Sequence, residues 1–186
     1  LKLEGQVVFI NFKDIALGDA IIWPAYLEEF RKKYKCKVYL KTRYPELFEK
    51  SYPNITFLKK GQHIKNVDVQ VTPRAIVDGA PMLDGPPTIL NLKKGELRPL
   101  IDKPKLKRTI EKKYVCIATH SSSYYKYWLR KNGWNDVIKY LKGLGYEVVC
   151  IDGDDVADYG RVKMYVPDGC VKRTGMRPLS ERVNDL

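Results

Sequence analysis

The sequence predicts an α/β protein built on parallel sheets. Two observations carry this prediction. Continuous apolar runs alternate with amphipathic helical patterns, and this alternation stops and then restarts on either side of a proline-rich, basic stretch. A chain of 186 residues can form one large domain or two small ones.

The first half of the chain reads as strand, helix, strand. Gln6–Asn11 is a continuous apolar run typical of a buried parallel strand. Ala20–Tyr34 has the pattern of a helix, with Pro24 in its first turn, and Lys37–Leu40 has that of a second strand. Shorter patterns predict a helix over Pro45–Lys50 and strands over Thr56–Leu58 and Val67–Val71.

Between Pro73 and Pro104, prolines and glycines interrupt every long pattern, and only Thr88–Leu92 reads as a strand. The following residues are rich in Lys and Arg with little apolar periodicity, as in a connection between domains. We therefore expect an N-terminal domain over 1–92, a basic linker over 93–113 and the start of a second domain over 114–186.

The alternation restarts with a strand at Tyr114–Thr119 and a helix at Asn132–Leu144 that ends among glycines. A strand follows at Glu147–Asp152, and another lies near Met164–Val166. This order predicts two Rossmann-like domains, the second incomplete.

The ends of the chain indicate truncation on both sides. The sequence begins with Leu1, and Leu179, Val183 and Leu186 open an amphipathic helix that has no stop signal. A parallel sheet left unfinished in this way would expose an edge prone to association.

Charge, hydropathy and cysteine content limit the classes of protein to which the chain can belong. The formal net charge of +12 favours the binding of phosphates, nucleic acid or acidic partners. No apolar run is long enough for a membrane span, and no signal peptide opens the chain. The four cysteines lack metal-binding spacing and lie mostly in strand-like runs, so we expect buried reduced thiols in a cytoplasmic protein.

The loop after the first strand is the first candidate site. In open parallel sheets, ligands bind beyond the carboxyl ends of the strands. Gly18 would allow a sharp turn or the close approach of a ligand. Asp19 would either accept a proton from an attacking hydroxyl or cap the helix that follows; the spacing leaves both roles open.

The segment His120–Lys126, after the strand at 114–119, is the second candidate. Its serines offer hydroxyl and N–H groups and Lys126 offers a positive charge, which together suit a diphosphate; a solvated loop would look the same. Asp152, Asp154 and Asp155 form either a carboxylate cluster or an ordinary turn. The chain carries neither a P-loop motif nor the G-x-G-x-x-G dinucleotide motif.

Two stretches resemble the bacterial autotransporter O-heptosyltransferases, which are related to the lipopolysaccharide heptosyltransferases and share their GT-B fold. The first runs F-K-D-I-A-L-G-D-A-I-I-W-P-A-Y-L-E-E-F-R-K-K-Y, and the second contains V-C-I-A-T-H-S-S-S-Y-Y-K-Y-W, G-Y-E-V-V-C-I-D and K-R-T-G-x-x-P-L-x-E-R-V-N-D-L. The resemblance implies a GT-B-like fold, with an acceptor-side first domain and a donor-binding second domain.

The resemblance also implies an activity, the transfer of a heptose from ADP-heptose to serine hydroxyls of an autotransporter adhesin in the cytoplasm. Asp19 would then be the general base, with Leu17 and Gly18 at the acceptor-side turn. The donor diphosphate would be bound by Thr119, Ser121, Ser122 and Lys126. With the family in view, the catalytic role of Asp19 takes precedence over the cap.

The family's later donor-binding region and cysteine-ligated iron site have no counterpart in this sequence, so no metal and no cofactor are assigned. The 186 residues alone are expected to lack full activity. Homo-oligomers are compatible with the sequence. Two other classes compete: a basic nucleic-acid-binding module that stacks bases on Tyr124, Tyr125, Tyr127 and Trp128, and a catalytically silent domain that holds a partner protein.

Overall fold

The computed structural model of the chain is a mixed α/β structure with parallel sheets, as predicted. It forms two compact units, Leu1–Asp102 and Lys103–Leu186. The described residues are 1–12, 16–73, 84–103, 105, 108–121, 123–158, 160, 162–175 and 177–186.

The first unit is built on a four-stranded, fully parallel sheet. Its strands are β1 (Val7–Asn11), β2 (Lys37–Lys41), β3 (Ile55–Phe57) and β4 (Val69–Val71), in the spatial order β3-β2-β1-β4. In register, Val8 pairs with Val38 on one side and with Val69 on the other. The strand order therefore changes direction at β1, which has a neighbour on each side.

Helix α1 (Leu17–Tyr34) connects β1 to β2 and buries Tyr26, Leu27 and Phe30, as the apolar pattern predicts. The placement of Pro24 in its first turn was wrong. The helix begins three residues earlier than expected, so Pro24 is its eighth residue and is buried. It removes one hydrogen bond inside the helix, because Pro has no N–H to donate.

The strand predicted at Thr88–Leu92 is a short helix, α2 (Gly85–Ile89). Pro86 and Pro87 lie in its first turn, where a missing N–H leaves no helical hydrogen bond unmade. Asn91 then ends the turn with a left-handed backbone, φ 51°. The prolines that interrupt the pattern in the sequence thus start a helix in the structure.

Part of the predicted linker packs on the first unit. The Tyr26 hydroxyl donates to the Gly95 carbonyl at 2.8 Å, and the Leu100 N–H donates to the Tyr52 hydroxyl at 2.8 Å. The Asp102 carboxylate accepts from the Lys50 N–H and the Ser51 hydroxyl. The predicted boundaries 1–92, 93–113 and 114–186 stay predictions.

The second unit has a three-stranded parallel sheet in the order β5-β6-β9 and a separate antiparallel pair, β7 and β8. The strand bounds are β5 (Tyr114–Ile117), β6 (Glu147–Cys150), β7 (Val156–Asp158), β8 (Lys163–Tyr165) and β9 (Val171–Lys172). Helix α3 (Gly133–Gly143) lies within the predicted range, and its Ile138 joins Ile117, Val148, Cys150 and Val166 in the core.

The last helix, α4 (Leu179–Asp185), confirms the predicted helix, but the expected apolar face was wrong, because Leu179 and Val183 are only partly buried. Its most deeply buried residue is Asp185, while Leu186 is exposed. The four cysteines are free thiols, with Cys36 and Cys150 buried. Within the described ranges, no helix combines the length and the apolar character needed to cross a membrane.

Candidate active site

Asp19 lies at the carboxyl end of β1, in the first turn of α1. The N-cap of that helix is Ala16, so the cap role weighed for Asp19 was wrong. Its half-buried carboxylate lies instead near the N-terminal end of the helix, where the macrodipole favours negative charge. The strand order reverses at β1, and such a reversal is where open parallel sheets bind ligands.

Leu17 and Gly18 are the first two residues of α1. Gly18 has helical backbone, so the sharp turn expected there was wrong, whereas the close approach of a ligand stays a prediction. A Cβ added there would meet no atom of the described residues within 4 Å, so the described structure leaves open space at Gly18. The residues between Phe12 and Ala16 lie outside the described part of the chain.

Thr119 follows β5 and is buried against Asp152, which follows the adjacent strand β6. Its hydroxyl donates to Asp152 Oδ2 at 2.7 Å, and its N–H lies 2.9 Å from the same oxygen. The hydroxyl proton is therefore already engaged within the protein. Direct contact of Thr119 with a diphosphate stays a prediction.

Ser121 and Lys126 belong to the same loop. The Tyr127 hydroxyl donates to the Ser121 carbonyl at 3.1 Å, and the Ser123 N–H lies 3.4 Å from Ser121 Oγ. A 3-10 turn over Tyr124–Lys126 ends the loop and leaves the Lys126 side chain exposed. The remaining predicted residue, Ser122, lies outside the described residues.

Asp152, Asp154 and Asp155 do not form a carboxylate cluster. Asp152 is buried, with 4% of the residue exposed, whereas Asp154 and Asp155 are exposed and Asp155 accepts from the Thr174 hydroxyl. Burial raises the pKa of Asp152, but hydrogen bonds from the His120 and Thr119 N–H groups, the Cys150 thiol and the Thr119 hydroxyl outweigh it. The net pKa lies below the usual value.

The sequence analysis named Asp152 only as part of a carboxylate cluster or a turn, and its contact with Thr119 was missed. A signal was present, since Asp152 ends the strand that follows the one leading into the predicted donor loop, and consecutive strands of a βαβ unit are usually neighbours. The carboxyl ends of β5 and β6 therefore lie side by side.

The described aromatic side chains of this loop, Tyr125, Tyr127 and Trp128, do not form a stacking surface; the Tyr124 side chain lies outside the described part of the structure. Tyr127 is buried, and Trp128 packs edge-to-face on Trp134 with ring centroids 5.3 Å apart. Tyr125 is exposed. Trp128 and Trp134 also line a cavity of about 750 Å³, to which Asp155 contributes but Asp19, Thr119, Ser121 and Lys126 do not. These positions weigh against base stacking by successive aromatic rings.

No protein-family model matches the chain. The autotransporter heptosyltransferase Aah of Escherichia coli is 33% identical over 200 residues, an alignment that takes in 100% of this chain and 51% of Aah. The crystal structure of TibC, described as a bacterial iron-containing dodecameric glycosyltransferase from enterotoxigenic E. coli, matches with a TM-score of 0.89 at 32% identity. That match covers 100% of this chain and 52% of TibC. The homologues of this chain are autotransporter heptosyltransferases.

The resemblance predicted from the two sequence stretches is thereby confirmed. The TibC heptosyltransferase has also been solved in complex with ADP-D-beta-D-heptose, and that structure matches all of this chain and 52% of TibC with a TM-score of 0.86 at 31% identity. The chain spans about half the length of the curated heptosyltransferases it matches.

One homologue carries a different description. BimC of Burkholderia thailandensis is named an inactive autotransporter heptosyltransferase and is 30% identical over 173 residues, covering 83% of this chain and 41% of BimC. The iron and the dodecamer are properties of TibC. Within the described residues of this chain, no three His, Cys, Asp or Glu side chains are grouped to bind a metal, and no step below uses one.

Proposed function

We propose that this chain is part of a glycosyltransferase that moves a heptose from ADP-heptose to serine hydroxyls of an autotransporter adhesin. The observation that carries the proposal is the match of the whole chain to TibC in complex with ADP-D-beta-D-heptose. We place the reaction in the cytoplasm, and we take a homo-oligomer as the working assembly because TibC is dodecameric.

The architecture that we propose is GT-B-like, with an N-terminal Rossmann-like domain and the start of a second one. Both sheets are parallel, and each has its candidate residues at the carboxyl ends of its strands. Asp19 follows β1 in the first unit, and Thr119, Ser121 and Lys126 follow β5 in the second. This placement supports an acceptor role for the first unit and a donor role for the second.

In the proposed reaction, Asp19 is the general base. Its carboxylate takes the proton of the acceptor serine while the serine Oγ attacks the anomeric carbon of the heptose. The new bond joins Oγ to that carbon, and the bond from the carbon to the diphosphate oxygen breaks with its electron pair leaving on ADP. The open space that the described residues leave at Gly18 supports the approach of a polypeptide acceptor.

Lys126 supplies the positive charge for the leaving group. As the glycosidic bond breaks, negative charge develops on ADP, and an ammonium group close to the diphosphate stabilises it. The Lys126 side chain is exposed at the end of the loop, where it can reach an incoming ligand. Ser121 and Ser122 are proposed to donate to the same diphosphate, and Thr119 to line it.

The test is a transfer reaction with the natural-length protein that contains this chain, ADP-heptose and a serine-rich autotransporter passenger fragment. We expect the passenger to gain the mass of one or more heptose units in intact-mass spectra. A matched reaction without donor should leave its mass unchanged. If the protein binds ADP-heptose in calorimetry and the passenger gains no mass, the acceptor is wrong; if it binds no donor, the proposal fails.

A catalytically silent role is the second candidate, because the homologue BimC is named inactive. Under that alternative, Asp19 would contribute only to the stability of α1. The Asp19 substitution described in the Discussion separates the two, since a silent domain has no transfer to lose.

A further inference from the structure

We propose that Asp152 is a positioning residue for the donor: its carboxylate holds the start of the loop Thr119–Lys126 in the conformation that binds the ADP-sugar diphosphate. This inference rests on the proposed function. Asp152 follows β6, the strand paired with the loop's own strand β5, so it acts on the loop from outside it.

The carboxylate of Asp152 meets the loop at three donors. The N–H of Thr119 lies 3.1 Å from Oδ1 and 2.9 Å from Oδ2, and the N–H of His120 lies 3.0 Å from Oδ1. The Thr119 hydroxyl donates to Oδ2 at 2.7 Å. Two consecutive N–H groups and one hydroxyl thus point at a single buried anion, which fixes the backbone where the loop leaves β5.

Asp152 is itself held in place. Arg182 of α4 donates through Nη1 to the carbonyls of Ile151 at 2.5 Å and Asp152 at 3.1 Å. The Cys150 thiol donates to Asp152 Oδ2 at 3.1 Å, and burial raises the pKa of that thiol to about 12, so its proton stays in place at neutral pH. A carboxylate anchored from both sides can set the geometry of a neighbouring loop.

The loop conformation that Asp152 imposes carries a cost. The His120 side chain is 8% exposed, and neither ring nitrogen has a hydrogen-bond partner among the described residues. Its Nδ1 lies 3.9 Å from Asp152 Oδ2, beyond hydrogen-bond length. Unpaired buried polar groups are unfavourable, so a loop that only connects two elements would gain nothing from burying His120 in this way. The unfavourable burial of His120 is explained if the loop backbone must be held in one conformation to bind a ligand.

The arrangement also assigns Thr119 a particular role. Because its N–H and its hydroxyl proton both go to Asp152, it has neither to donate to a phosphate oxygen. Thr119 therefore serves the donor by connecting Asp152 to the loop, and the direct contacts fall to Ser121, Ser122 and Lys126.

The test compares Asp152→Asn with the matched control Asp154→Asn in the natural-length protein. An amide at position 152 would turn an NH₂ group toward donors and lose the negative charge, whereas Asp154 is exposed in the same turn. With ADP as the probe in calorimetry, well below the unfolding temperature, we expect D152N to weaken binding at least about tenfold. We expect D154N to stay within about twofold, as for other surface changes.

A second pair keeps the inference testable where D152N fails to fold. Thr119→Val removes the hydroxyl and keeps the shape, and Thr119→Ser restores the hydroxyl. We expect T119V to weaken ADP binding at least about threefold, the lower range for one lost hydrogen bond, and T119S to bind like the natural protein. A purely structural hydroxyl would lower the unfolding temperature in T119V and leave ADP affinity unchanged.

The outcomes separate the two proposals. If the natural protein binds neither ADP nor ADP-heptose, the proposed function fails and this inference falls with it. If the natural protein binds ADP and folded D152N binds it equally well, or T119V does, the positioning role of Asp152 is overturned while the proposed function stands.

Discussion

Arg177 donates through Nη1 to Oδ2 of Asp185 at 2.6 Å, and the Asp185 side chain is 2% exposed. Arg173 lies on the other side, with Nη1 3.7 Å from Oδ1. The Cys116 thiol of β5 donates to the Asp185 carbonyl at 3.0 Å. Asp185 thus connects α4 to the segment before it through its buried carboxylate, and to the parallel sheet through its backbone carbonyl.

Arg177→Ala should destabilise the second unit. Removing one partner of a buried ion pair leaves the other charge uncompensated, which lowers the free energy of unfolding by about 3 kcal/mol or more. We expect the lower value here, because Arg173 still lies near the Asp185 carboxylate. The measurement is the thermal unfolding midpoint of the natural-length protein. The matched control is Arg130→Ala, because Arg130 and Asp136 form an exposed pair worth less than about 1 kcal/mol. Equal shifts for the two variants would contradict the prediction.

Asp19→Asn should abolish heptose transfer while leaving donor affinity intact, because the amide keeps the shape and loses the base. General-base contributions of about 10²–10⁴ set the expected fall in rate. Transfer is followed by intact mass and donor affinity by calorimetry. Glu29→Gln, on the exposed side of the same helix, serves as the control and should transfer normally. Natural turnover in D19N would remove Asp19 from the mechanism.

Lys126→Ala should weaken ADP-heptose binding and slow transfer. A hydrogen bond to a charged group contributes about 1.5–3 kcal/mol, so the dissociation constant should rise roughly 10- to 100-fold. Lys131→Ala is the comparison, since Lys131 is also exposed and lies just beyond the loop. If calorimetry gives the same ADP-heptose affinity for both variants, Lys126 does not contact the diphosphate.

The second unit should lose stability in acid through Asp152. Its pKa in the folded protein is lowered, despite burial, by hydrogen bonds from the loop after β5. The unfolded chain therefore takes up the proton first, at about pH 3.9. The stabilisation from the carboxylate is complete at neutral pH and is lost as the pH falls below that value and through the folded pKa.

The corresponding measurement follows thermal midpoints of the natural protein and D152N from neutral pH to about pH 3. The midpoint difference between them should be largest at neutral pH and should shrink in acid. A difference that stays constant over this range would show that charge on Asp152 contributes nothing.

The larger elements could be predicted because their patterns are strong. The continuous apolar run Gln6–Asn11 is typical of a strand buried on both faces. The apolar spacing in Ala20–Tyr34 is typical of a helix buried on one face. Helix α2 was missed because prolines stop a helix in its middle and start one at its beginning, and sequence alone does not say which position they hold. Strands β7 and β9 are short and mostly exposed, so they leave no apolar run.

The sequence predicted each candidate loop separately but not the contacts that a loop makes with other parts of the chain. Asp19 and Lys126 follow strands, which is visible in the sequence. The contact between Thr119 and Asp152 joins residues 33 positions apart and depends on the pairing of β5 with β6. Gly18 was expected to allow a sharp turn or the close approach of a ligand, because glycine has no Cβ, and the structure places it in the first turn of a helix instead of a sharp turn.

The central position of β1 has a consequence for amide hydrogen exchange. Because β2 and β4 flank it, its N–H groups are paired on both sides, whereas β3 and β4 lie at the edges. Exchange requires those bonds to open, so the two interior strands, β1 and β2, should exchange more slowly than the edge strands β3 and β4. Asp19 therefore follows one of the two interior strands of its sheet, and local opening at the sheet edges leaves Asp19 attached to a closed strand.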